Sequence, residues 1–186
     1  MSAHIEPPEG GNKKIALLIA VLALLLSLSE IGGKQAENEA IAKNIDASNL
    51  WSFFQAKTIR GTTVRTAAEA MEIDLIGTTD AATRERLQKR IDSWKATVAR
   101  YESEPETQEG RKELMARAKA TEQIRDDQKA RSENFEIASG LLQIGIVVAS
   151  ASIITGVGVL AYAAGGLGAL SLVFMALALV APRLLF

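Results

Sequence analysis

Hydrophobic and polar positions are sorted along this chain rather than interleaved. From Ile137 to Pro182 there is no Lys, Arg, Asp, Glu or His, and at about 1.5 Å of rise per residue that stretch crosses a bilayer twice as helix. A second apolar run, residues 15–33, follows Lys13 and Lys14 and reaches the length of one further span. The pattern predicts an all-α membrane protein with three transmembrane helices and, between the first two, a helical-hairpin domain of coiled-coil character.

The divisions read from this pattern are a polar tail at 1–14, span one at 15–33, an extramembrane helical domain at 34–136 and span two at 137–162. A turn at 163–168, centred on Gly165 and Gly166, then leads into span three at 167–185. Paired glycines supply the backbone freedom that a reversal demands. The tail, with Glu6, Pro7, Pro8 and Glu9, is too poor in apolar residues to fold alone. A cleaved signal peptide is the rival for span one, but this tail is unlike an ordinary n-region.

Small residues recur within the spans at helical spacing. Ala16, Ala20, Ala23 and Ser27 form one stripe that continues to Glu30, and Gly145, Ala149, Ser152 and Gly156 form another. In lipid such stripes let helices approach closely, so both are candidate packing seams. Glu30 is the one acid within an apolar run, and Gln143 is a further polar point near its depth. An ion path is conceivable there. An interfacial carboxylate, in water or paired with Lys34 one turn on, is the plainer reading, since no histidine or second acid in the spans relays a proton.

Between the spans the period becomes that of helices that wrap one another. Leu50, Phe54, Lys57, Gly61, Val64, Ala68, Met71 and Leu75 alternate steps of four and three, with Lys57 and Gly61 as weak points. Gly77 stops this helix, and Thr78, Thr79 or Asp80 caps the next. There Leu87, Ile91, Trp94, Val98 and Tyr101 form a clean seam among charged residues. Ser103-Glu104-Pro105-Glu106 has the form of a capping box, predicting that a third helix starts there and runs into span two. Trp51, Phe53 and Phe54 cover more than one stripe, so they are expected to be enclosed on two sides or to meet a second protomer. With Lys57 and Arg60 beside them, these are the interaction candidates.

Charge and composition exclude more than they assign. With 21 basic and 22 acidic residues the chain is near neutral, so general binding to nucleic acid is not expected. It has no cysteine, which removes disulfides, thiolate metal sites and a cysteine nucleophile. Its one histidine, His4, lies in the tail, so no catalytic residue, metal ligand or cofactor site emerges, and a non-enzymatic role is expected.

The segment Ala47-Ser48-Asn49-Leu50-Trp51-Ser52-Phe53-Phe54-Gln55-Ala56-Lys57-Thr58-Ile59-Arg60 resembles one found just after the first span in a family of bacterial membrane proteins known only as a domain of unknown function. The resemblance extends to the order of elements and covers nearly the whole chain. It implies architecture and bacterial origin but no activity. Members are basic between the last two spans, whereas here that turn is uncharged.

Lys13 and Lys14 argue for a cytoplasmic N-terminus, against Lys129, Arg131 and Arg183 on the opposite side. The first span usually dominates. The expected placement is therefore the bacterial inner membrane, with the helical domain and C-terminus periplasmic. The expected function is structural: a homo-oligomer, or an accessory subunit docking another membrane complex through its helical domain. A small oligomeric channel or transporter component is the alternative.

Overall fold

The computed structural model describes residues 10–185. The expected tail falls largely outside the described residues, as does His4, although helix already begins at Gly10. Four helices follow in order: α1 (Gly10–Gly77), α2 (Ala81–Glu102), α3 (Arg111–Thr155) and α4 (Val159–Val180), with a 3₁₀ turn at Pro182–Leu184. Three of them, α1, α3 and α4, contain stretches long and apolar enough to cross a membrane. Within those stretches only 11%, 28% and 22% of residues are buried in the chain. Leu17, Leu24, Ile154, Tyr162 and Val180 all point outward. Apolar surface on that scale needs lipid around it, and the fold is that of an all-α, multi-pass membrane protein.

The chain divides into two compact units, Met1–Ile41 with Arg125–Phe186, and Ala42–Ile124. We call them the membrane unit and the helical unit. The expected border at 33/34 is not a helix boundary, because α1 continues through it.

In the helical unit the predicted α1 seam from Leu50 to Leu75 is buried or half-buried at every position, and so are Leu87, Ile91, Trp94, Val98 and Tyr101 of α2. Asp80 caps α2, accepting the Thr83 N–H at 2.8 Å. The third helix starts later than the capping-box reading expected, at Arg111. Ser103 and Glu104 are engaged by Glu113 instead: the Ser103 hydroxyl donates to one carboxylate oxygen at 2.7 Å and the Glu104 N–H to the other at 3.1 Å. With those donors satisfied from α3, residues 105–108 form a turn, and Gln108 takes a left-handed φ of 58°.

In the membrane unit the reversal between the last two spans lies at Gly156-Val157-Gly158, not at 163–168. Gly156 has φ +70°, the left-handed region that glycine enters without cost. Two hydroxyls supply the polar partners that lipid cannot: Ser152 donates to the Val157 carbonyl at 3.0 Å, and Thr155 accepts the Val157 N–H at 3.3 Å. Gly165 and Gly166 instead sit inside α4. Span two therefore ends at Thr155 rather than at 162, and span three occupies Val159–Val180 rather than 167–185.

Candidate interaction sites

The aromatic and cationic residues singled out on α1 are used largely within the chain. Trp51 Nε1 donates to Glu122 of α3 at 2.9 Å, and the Trp51 ring meets Phe54 edge-on with centroids 5.5 Å apart. Arg111 of α3 lies 5.1 Å over the Phe54 ring while donating to Glu102 at 2.7 Å. Lys57 is only 6% exposed. Its ammonium group sits 5.1 Å from the Tyr101 centroid, 5.5 Å from that of Phe53 and 3.4 Å from Glu104 Oε2. Two ring faces and a carboxylate replace the water that a buried cation loses. The apparent weak point of the seam is thus a clamp joining α1 to the end of α2. Arg60 is exposed and has no part in it.

Sequence reasoning missed Tyr101, Glu104, Arg111 and Glu122 as the partners of this cluster. They lie 44 to 71 positions from the residues they contact, and no local spacing signals such pairs. Phe53 also borders an open groove of about 530 Å³ with Asp46, Asn49, Leu50, Arg117 and Thr121. Three groups around the unit titrate away from their usual values. The Ser103 hydroxyl, and then the Glu104 N–H, hold the Glu113 carboxyl low. Thr83 does the same for Asp80. Hydrogen bonding to Glu72, together with its charge, raises Lys95.

In the membrane unit the two expected small-residue stripes part company. Ala149 and Ser152 are buried, and a Cβ added to Gly145 would meet Leu22 at 3.4 Å and the Ala164 carbonyl at 3.5 Å. That stripe packs, except for Gly156, whose place is in the turn and which has open space around it. Ala16, Ala20, Ala23 and Ser27 face outward with Glu30. The inward face of α1 includes Ile15, Leu18, Ile19, Leu22, Leu25, Leu26, Ser29 and Gly33. Leu22 is the central knob, packed with Leu142, Ala149 and Ala164, and a Cβ at Gly168 would come within 2.5 Å of it.

Toward the Phe135 end the contacts become polar. The Ser29 hydroxyl donates to the Phe135 carbonyl at 2.9 Å and Ser132 to that of Gly33 at 3.2 Å. Arg131 donates to the Ala178 carbonyl at 2.9 Å, and Asn134 to that of Pro182 at 2.9 Å. The first bond satisfies a carbonyl in the last turn of α4 that has no helical partner, and the second holds the 3₁₀ turn that follows it. The Phe135 ring lies over Gly32, where a Cβ would stand 2.8 Å from it. Glu30 and Gln143 line one groove of about 360 Å³ with Ser29, Lys34, Glu37 and Glu136. The structure therefore brings the two intramembrane polar candidates together. It forms no Glu30–Lys34 ion pair.

Among the described residues, no group of three or more His, Asp or Glu is placed to hold a metal ion. Comparison with curated proteins and with solved structures finds no match. A family profile instead matches residues 11–181, nearly the whole length of these four helices, and the chain belongs to that family, the Domain of unknown function (DUF4337).

Proposed function

We propose that this is a non-enzymatic integral membrane interaction protein of the bacterial inner membrane, a homo-oligomer or an accessory subunit of a larger membrane complex, with its N-terminus and hairpin turn cytoplasmic and its helical domain periplasmic. The observation that supports it best is how the polar groups between the spans are used. Ser29, Ser132, Asn134, Ser152 and Ser171 are buried, and each donates to a backbone carbonyl. The space between them is filled by Leu22, Leu142, Ala149 and Ala164. Among the described residues the centre of the bundle is thus packed with apolar side chains, which supports a structural role over conduction by one copy. The Trp51, Phe54 and Lys57 side chains of the helical unit likewise make internal contacts. Purification in mild detergent with mass measurement by light scattering tests the reading. An assembly of several copies, or a stoichiometric membrane partner, is expected. A monomer without partner across a wide concentration range overturns it.

An oligomeric channel is the second reading, favoured by the groove that Glu30 and Gln143 share on the outside of the bundle. Ion flux in reconstituted vesicles that falls on Glu30→Gln supports it; equal flux with and without the protein excludes it.

A further inference from the structure

The exposed side of α1 in the helical unit carries a second heptad series opposite the buried one. Ile45, Ser48, Ser52, Gln55, Ile59, Thr62, Thr66, Glu69 and Ile73 recur at steps of three and four, and all are exposed. Ile59 and Ile73 are 68% and 71% accessible, and a shallow groove of about 660 Å³ runs past Ile59, Thr62, Thr63, Thr66 and Ala70. Glu69 is the one charge in the series. A helix face kept in water looks different: the outer side of α2 bears Arg84, Arg86, Lys89, Arg90, Asp92 and Lys95.

The flanks of the stripe say what covers it. At about 100° per residue, Arg60 and Asp74 fall on one flank, while Arg65 and Glu69 fall on the other. All four are exposed, and none belongs to an ion pair within the described residues. Basic charge precedes Thr66 and acidic charge follows it, so the pattern is complementary to itself read backwards. We propose that this face docks a second copy of the chain, α1 antiparallel to α1, about a two-fold axis through Thr66. Ile59 then faces Ile73 of the second copy, Thr66 faces Thr66, Arg60 lies toward Asp74 and Arg65 toward Glu69. On the same edge of an antiparallel pair, charges of opposite sign come together. A parallel pair would set Glu69 against its own copy and leave the basic residues unanswered.

The inference rests on the self-association proposed above and assigns its surface. Since the chain has no cysteine, single-cysteine variants of the full chain in mild detergent report the contact cleanly. Oxidation is expected to link Thr66→Cys to itself and Ile59→Cys to Ile73→Cys in a mixture, while Lys89→Cys on α2 stays unlinked. Arg65→Glu should weaken association at least tenfold, and adding Glu69→Arg in the same chain should restore it. Self-linking of Ile59→Cys and of Ile73→Cys without the mixed product overturns the arrangement, as does association indifferent to Arg65→Glu. If light scattering still shows an assembly when no α1 variant links, the surface is wrong and self-association stands. A monomer at every concentration removes both.

Discussion

At the scale of single residues, the junction between α2 and α3 depends on Gly110 and Glu113. A Cβ on Gly110 would lie 2.2 Å from Glu113 Oε2 and 2.4 Å from the Glu104 nitrogen, the two groups that bond to each other. One of these is backbone and has little freedom to retreat. Gly110→Ala should therefore destabilise the helical unit by about 1–3 kcal/mol, measured by thermal unfolding followed by circular dichroism. Acid should act on the same junction. Because Glu113 is held below its ordinary value of 4.5 in the fold, its contribution is complete above that value and is lost as pH falls through the lower folded one. Asp80 at the α2 cap has the same sign. The melting temperature should fall below about pH 4.5, and Glu113→Gln should flatten that fall while lowering stability at neutral pH.

At the scale of elements, the close approach of α1 to α3 and α4 depends on a large residue meeting small ones. Gly145 and Gly168 form the hollow that Leu22 fills. Gly168→Val should push α1 outward and lower the detergent melting temperature. Leu22→Ala should cost about 2–5 kcal/mol alone, yet cost less in combination with Gly168→Val, because the valine occupies space that the leucine leaves. A double-mutant cycle showing strict additivity would sink this account of the packing.

The same contact explains what was legible in the sequence. The heptads of α1 and α2 were readable because burial follows spacing along one helix. The Ala16–Ser27 stripe faces out of the chain rather than toward α3 and α4, because the room that this close approach needs lies on the partners, at Gly145 and Gly168. Likewise Gly156-Val157-Gly158 and Gly165-Gly166 look alike as turn signals. The difference lies in Ser152 and Thr155, whose hydroxyls close the first turn. The cluster around Lys57 was half visible: its aromatic residues stood out, but the ring and carboxylate from α2 could not be located by period alone.

At the scale of the whole molecule, three spans fix which ends share a side. An odd number places the N-terminal lysines and the Gly156–Gly158 turn on one face of the bilayer, and the residues between the first two spans, with Arg183, on the other. The turn bears no charge, so it takes no part in the contest between Lys13 with Lys14 and the basic residues beyond. If the first span decides, the helical unit lies on the side opposite Lys13 and Lys14, which is the periplasm in the placement proposed above. Single cysteines at Val157 and at Thr79, in a chain with none of its own, separate the possibilities. A thiol reagent that cannot cross membranes should label Thr79→Cys in intact spheroplasts, and Val157→Cys only after permeabilisation. Reversal of both results would turn the orientation around while leaving three spans in place. Labelling of both positions from one side would remove one span from the count, which the apolar, outward-facing lengths of α3 and α4 argue against.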